Sequence, residues 1–235
     1  MRKPFNFKMF SLSDDGCAMP LSSDAVILGA WTNPAGCSRI LDVGTGCGIL
    51  ALMMAQKSLA VIDAIDIHLP SATRAEENFR ASPWPDRLKA FHASLQAWLP
   101  PQGASYDLII SNPPFFRNAL LPQSEKKRLS KHGQALTMDG LLSQVSGLLG
   151  SGGFFSVLLQ ASDENICCAA AARYGLFPSG ILRIRPAPDK ALHRVCMRFG
   201  RASGGLVVEE LQLRQSDGIY SDAYRKLTVD FYPAF

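Results

Sequence analysis

Short apolar, β-branched runs alternate with stretches of helical period along most of the chain, the pattern of a largely parallel sheet covered by helices. The runs predict strands at Arg39–Val43, Ala60–Asp66, Leu88–His92, Tyr106–Ser111 and Phe154–Leu159, with helices at Ile49–Lys57, Ser71–Ala81 and Met138–Leu149 among them. Pro83, Pro85, Pro100, Pro101 and Gly103 punctuate the connections. A helix at Glu164–Tyr174 and strands near Ile181–Ile184 and Arg194–Phe199 follow, the two strands joined by a tight turn that suits an antiparallel edge. The tail adds a strand at Leu206–Leu213 and a short helix at Ser221–Thr228. From Arg117 to Ala135 the chain is polar and basic with little hydrophobic period, so this stretch reads as a long loop or lid. No repeat interrupts the pattern, and one α/β domain over residues 1–235 is expected: an N-terminal extension (1–35), a core (36–200) and a C-terminal addition (201–235).

Composition narrows the class. At 235 residues and 47% hydrophobic content the chain can bury a sizeable core, which excludes general disorder. The six cysteines form no CxxC pair and the four histidines lack ligand-like spacing, so reduced thiols and no metal are expected. The basic start lacks the apolar core of a signal peptide and no run approaches a membrane span, so a cytoplasmic, bacterial protein without a membrane partner is expected; a monomer is compatible with all of this. The net charge of +4 does not announce a nucleic-acid binder, but the basic residues are bunched. Arg117, Lys126, Lys127, Arg128 and Lys131 face only Glu125 in their stretch, and six Arg or Lys between Arg183 and Arg201 face only Asp189. Two ordinary solvated faces would give the same bunching.

The segment Leu41-Asp42-Val43-Gly44-Thr45-Gly46-Cys47-Gly48 ends a predicted strand and opens a predicted helix, where glycines let the backbone approach a ligand. Its GxGxG spacing, with an acid two residues before the first glycine, departs from the GxGxxG of dinucleotide binding. A nucleoside cofactor with a cationic amino group, as in S-adenosylmethionine, fits: Asp42 can accept from that amine. Asp66, at the end of the next strand, can accept both ribose hydroxyls. Ser94 and Leu95, after the third strand, are placed to touch the adenine. A glycine-rich turn alone could be a mere helix-capping bend, but its strand context and Asp66 argue against that.

An apolar strand then runs into Ser111-Asn112-Pro113-Pro114-Phe115-Phe116. Two prolines fix φ and remove N–H donors, leaving the carbonyls around Asn112 and Pro113 in a set geometry. The Asn112 side-chain oxygen and the Pro113 carbonyl can take the two hydrogens of a planar amine and favour a pyramidal nitrogen whose lone pair faces a methyl donor. Phe115 offers a face for stacking a base. A proline-rich turn ending a buried strand, with both phenylalanines in the core, is the competing reading.

These elements resemble the class I methyltransferases of the Asn-Pro-Pro-Tyr/Phe group, and more closely the bacterial tRNA1(Val) adenine-N6 methyltransferases. The resemblance covers nearly the whole chain: Phe5-Asn6-Phe7-Lys8, Cys17-Ala18-Met19-Pro20, Ser23-Asp24 leading into Leu28-Gly29-Ala30-Trp31, Ser82-Pro83-Trp84, Tyr220-Ser221-Asp222-Ala223-Tyr224 and Phe231-Tyr232. It implies a Rossmann-like, seven-stranded, mostly parallel sheet with helices on both faces, S-adenosylmethionine as cofactor, and methylation of the adenosine immediately 3′ of the anticodon of that tRNA. It further implies that Met19, Ser23 and Asp24 close over a cofactor held by Asp42, Gly44, Thr45, Gly46, Gly48, Asp66, Ile67, Ser94, Leu95 and Asn112. Catalysis would fall to Asn112, Pro113, Pro114 and Phe115, where Phe115 stands in place of the commoner tyrosine. Lys8, Phe116, Arg117, Lys126, Lys127, Arg128, Lys131 and Arg194 are the candidate RNA contacts.

The nucleotide turn and Asn-Pro-Pro-Phe define a reaction type shared with methyltransferases for rRNA bases and for protein glutamine amides. A catalytically silent nucleotide-fold protein is a further alternative, against which the completeness of both motifs speaks.

Overall fold

A computed structural model describes residues 3–114 and 136–234. A two-residue hairpin, β1 (Phe5–Asn6) and β2 (Ser11–Leu12), and helix α1 (Ser23–Trp31) precede the sheet. Then come β3 (Arg39–Val43), α2 (Ile49–Lys57), β4 (Val61–Asp66), α3 (Leu69–Arg80), β5 (Leu88–His92) and β6 (Tyr106–Ser111). After the segment outside the described residues follow α4 (Met138–Leu148), β7 (Leu149–Gln160), α5 (Glu164–Ala172), β8 (Phe177–Arg185), β9 (Arg194–Gly200), β10 (Val207–Gln212) and α6 (Asp222–Thr228).

The main sheet has the order β10-β8-β9-β7-β6-β3-β4-β5. Among the described residues it holds eight strands against the seven expected, because β10 adds itself parallel to β8 at one edge. The antiparallel strand is β9, which lies between β7 and β8 and pairs with both. The crossover from β7 through α5 to β8 leaves one place open; β9 fills it antiparallel, because the connection over residues 186–193, longer than the tight turn expected, is still too short for a parallel crossover. Side chains alternate between the faces: Ile40, Leu108 and Ile110 join α1, α2, α3 and α6 in one core, whereas Leu41, Val43 and Ile109 join α4 and α5 in the other. Leu108, Ile109 and Ile110 are fully buried, each stabilising the strand by roughly 1.5–3 kcal/mol.

Helix α1 escapes the periodicity argument because it is buried nearly all round, from Ala25 to Gly29, and so carries no polar stripe. Gly29 lets it lie against α2, since a Cβ there would sit 2.5 Å from Met53 Sδ. Ser22 caps its start by accepting from Ala25 N–H, and Lys57 Nζ caps its end by donating to the carbonyls of Gly29, Ala30 and Thr32. Burial pushes the Lys57 ammonium down to about 8.

The aromatic residues of the terminal motifs form a seam between the two ends of the chain. Phe7 stacks on Phe10 and on Tyr232 at 4.8 and 5.7 Å between ring centroids, and Phe10 meets the edge of Trp84. Tyr220 stacks on Tyr224, and Arg214 lies 4.2 Å over the Tyr220 ring. Their first role is therefore to pack, as helical spacing at Tyr220 and Tyr224 suggests.

Candidate active site

The sheet order reverses direction at β3, which has β4 on one side and β6 on the other, and such a switch point opens a crevice at the carboxyl ends of the strands. The glycine turn leaves β3 there. Gly44, Gly46 and Gly48 have φ of 72°, 57° and 87°, backbone that L side chains rarely adopt. Two tasks divide the three. A Cβ on Gly44 or Gly46 would meet nothing within 4 Å, so both line open space, whereas a Cβ on Gly48 would lie 2.5 Å from the Phe79 ring. Gly48 thus brings α2 and α3 together, and the other two leave room for a ligand.

Two carboxylates hold the turn. Asp42 is fully buried beneath it and accepts from Thr45 Oγ1 at 2.7 Å and Ala51 N–H at 3.2 Å, both on Oδ2. Its Oδ1 is buried without a hydrogen-bond partner among the described residues, and burial pushes the carboxyl up to about 7. Asp66, at the tip of β4, accepts Gly46 N–H on Oδ2 at 2.9 Å and His68 N–H on Oδ1 at 2.8 Å. A carboxylate oxygen has a second lone pair, so both can still accept from a diol. The orphaned Asp42 Oδ1, the open cradle over Gly44 and Gly46, and an acceptor pair beyond them fit a nucleoside cofactor with a cationic tail.

Beside this cradle, Ile67 is exposed. Ser94 accepts from Ala97 N–H at 3.3 Å, capping a short 3-10 turn, and the Leu95 side chain is buried, so Leu95 can meet a ligand only through its backbone. Met19 is 62% exposed at the end of a strap tied to α3. The ties run from Ala18 N–H to Ser71 Oγ, from Arg74 Nε to the Asp15 carbonyl, and from Asn78 to Ser13 and the Cys47 carbonyl. Ser71 Oγ also meets His68 Nδ1 at 2.9 Å, which sets the strap beside the Asp66–His68 corner.

On the other side of the switch point, Ser111 pairs with Val43, and its Oγ donates to the Val43 carbonyl at 2.8 Å. The next residues, Asn112 and Gly44, therefore leave neighbouring strands at the same level, about 5 Å apart. Motif spacing does not mark Ser111; a hydroxyl that ends an otherwise apolar, buried strand is its available sign. Asn112 is half-buried, Pro113 buried and Pro114 exposed. Phe115, Phe116, Arg117, Lys126, Lys127, Arg128 and Lys131 lie outside the described residues.

Four candidates stand apart from the crevice. Asp24 and Arg194 form an ion pair, Nε to Oδ2 at 2.8 Å, so a residue expected at the cofactor and one expected at RNA hold each other. Ser23 is exposed and borders a separate hollow with Phe5, Phe7 and Tyr232. Lys8 borders a third hollow with Gln56, Lys57 and Asp230 at the far end of α2, about 13 Å along that helix from the glycine turn. Among the described residues no cluster of histidine, cysteine and acidic side chains could hold a metal, and no helix is long and apolar enough to cross a membrane.

The chain matches the methyltransferase small domain family over residues 26–147. It is 35% identical to the tRNA1(Val) (adenine(37)-N6)-methyltransferase of Citrobacter koseri over 233 residues, 98% of this chain and 95% of that protein. Its fold is similar to that of an Agrobacterium tumefaciens protein described as a predicted O-methyltransferase, with TM-score 0.67, 16% identity and coverage of 88% and 96%. It is also similar to a T. thermophilus 16S rRNA N2 G1207 methyltransferase solved with AdoMet and guanosine, with TM-score 0.54, 16% identity and coverage of 79% and 44%. The full-length similarity settles the membership that the glycine turn and Asn-Pro-Pro-Phe suggest: the chain belongs to the methyltransferase small domain family and, within it, to the tRNA1(Val) (adenine(37)-N6)-methyltransferases.

Proposed function

We propose that this enzyme methylates N6 of the adenine immediately 3′ of the anticodon in tRNA1(Val), with Asn112 and Pro113 presenting the amine and the turn after β3 holding S-adenosylmethionine. The observation that carries the reading is the Ser111–Val43 hydrogen bond, which fixes the start of Asn-Pro-Pro against the start of the glycine turn. Asp66 is assigned to the ribose, Ile67 and the Ser94–Leu95 backbone to the adenine, Asp42 to the amino group, and Met19 to the cover.

When bound, S-adenosylmethionine supplies an electrophilic methyl group on a cationic sulfur. The chain's task is to orient the acceptor. The Asn112 side-chain oxygen and the Pro113 carbonyl each accept one N–H of the adenine amine, which pulls the lone pair out of conjugation and turns it toward the methyl group. The cofactor would give up the methyl group from its sulfur and be left as a neutral thioether, and the methylated nitrogen would shed to solvent one of the two protons held by Asn112 and Pro113, so no strong base is required. Phe115 stacks on the adenine, a contact worth about 1–3 kcal/mol by analogy with other base–aromatic pairs. An anticodon-loop base is already unpaired, which spares the cost of extruding it from a helix. The basic segment 117–131 would neutralise loop phosphates, and the work would be done in the cytoplasm.

Incubation of the protein with labelled S-adenosylmethionine and separate tRNA, rRNA and protein pools tests this. Label recovered as N6-methyladenosine from tRNA is the expected result; label in rRNA alone, or on protein glutamine, would overturn it.

A further inference from the structure

We propose that the hollow between the N-terminal hairpin and the start of α1 is a second base-binding subsite, which takes an unpaired nucleobase flanking the target adenine. This rests on the function proposed above. The hollow has a volume of about 220 Å³ and is bordered by Phe5, Asn6, Phe7, Leu21, Ser22 and Tyr232. Phe7, 7% exposed, is stacked between Phe10 and Tyr232, so both of its faces are covered and the face left to a ligand is that of Phe5. Phe5, by contrast, is 42% exposed, a large aromatic side chain on a two-residue strand. Asn6 beside it is exposed, and its carbonyl oxygen accepts from Ser11 Oγ at 2.8 Å, which steadies the amide as a polar edge.

An open aromatic face beside one polar reader is the chemistry of single-stranded RNA recognition, where a base stacks and offers its edge. The space suits one flat ring system and is too confined for the face of a partner helix.

Position agrees as well. Asp24, on the first turn of α1, is bound to Arg194, and Arg194 pairs with Gln160 on β7. Gln160 lies three residues beyond Val157, the partner of Ser111. The start of α1 is thus at the same end of the sheet as Asn112, two strands across and roughly 7 Å beyond it along the strand direction. A single-stranded loop with its target base at Asn112 can reach it with a neighbouring nucleotide.

The test uses the full chain and anticodon stem-loop RNAs of tRNA1(Val) carrying 2-aminopurine in turn at each position flanking the target. Binding should quench the fluorophore at one position. Phe5→Ala should abolish that quench and raise KM for the RNA about tenfold, with affinity for S-adenosylmethionine unchanged by calorimetry, and Phe5→Trp should restore both. Wild-type quench and KM in Phe5→Ala would overturn the subsite. Failure of the wild type to methylate the unlabelled stem-loop, with methylation of rRNA or protein instead, would overturn the parent reading and the subsite with it.

Discussion

Arg194 Nε donates to Asp24 Oδ2 at 2.8 Å, which ties the first turn of α1 to the first residue of β9. The two side chains are only 13% and 22% exposed, so the pair is partly desolvated and neither charge is readily spared. Arg194→Ala should cost about 1–3 kcal/mol of stability and lower the Tm by about 3–10 °C. Because this guanidinium is engaged with a carboxylate, the dependence of tRNA affinity on salt should keep its slope in the variant. A slope reduced by about 0.7, the signature of one lost contact to a single strand, would show that Arg194 binds phosphate.

Asn112→Ala removes one of the two acceptors for the substrate amine and leaves the cradle formed by the turn, Asp42 and Asp66. Affinity for S-adenosylmethionine should stay within about threefold, while kcat falls on the order of 100-fold or more, as for loss of one preorganised polar group aimed at a transition state. Calorimetry and single-turnover methyl transfer separate these outcomes. A variant that turns over at the wild-type rate would remove Asn112 from the mechanism.

Much of this was legible in the residues. Continuous apolar runs such as Leu108 to Ile110, and the glycines after Val43, reveal themselves because they obey local rules of burial and φ. What local rules miss is whatever depends on a partner distant in sequence. Helix α1 shows no amphipathic stripe because α2 and the sheet bury both its sides. The strand expected at Leu206–Leu213 forms as β10, but its place as an eighth strand is set by the open edge of β8, which offers it hydrogen bonds while four of its six side chains remain exposed. The Asp24–Arg194 pair joins residues 170 positions apart, so two charges that look available in sequence satisfy each other in space.

Ser111→Ala tests whether the cofactor turn and the Asn-Pro-Pro segment are mechanically joined. The Ser111 hydroxyl is fully buried and donates to the Val43 carbonyl. Its removal should cost about 1 kcal/mol of stability and, by loosening the spacing between Gly44 and Asn112, reduce kcat about tenfold with little change in KM for S-adenosylmethionine. Ser111→Thr keeps the donor and should recover most of the rate. If Ser111→Ala lost stability but kept full kcat, the bond would be a packing detail only.

Asp42 makes the site sensitive to pH. Burial, and secondarily the nearby Asp66 charge, push its carboxyl up to about 7, although the hydrogen bonds from Thr45 and Ala51 act in the opposite direction. A folded-state value above the unfolded carboxylate value of about 4 means that the contribution of this group to stability is complete below pH 4 and is lost as pH rises through 7. The free protein should therefore be less stable at pH 7.5 than at pH 5, and Asp42→Asn should flatten that difference. Cofactor binding should show the opposite trend, since a cationic amine prefers the ionised carboxylate. If binding requires that form, affinity for S-adenosylmethionine should rise about tenfold between pH 6 and pH 7.5, the change in the ionised fraction of a group titrating near 7. Calorimetric titrations across this range, repeated on Asp42→Asn, decide the matter: an equal pH dependence in the variant would mean that Asp42 only buckles the turn.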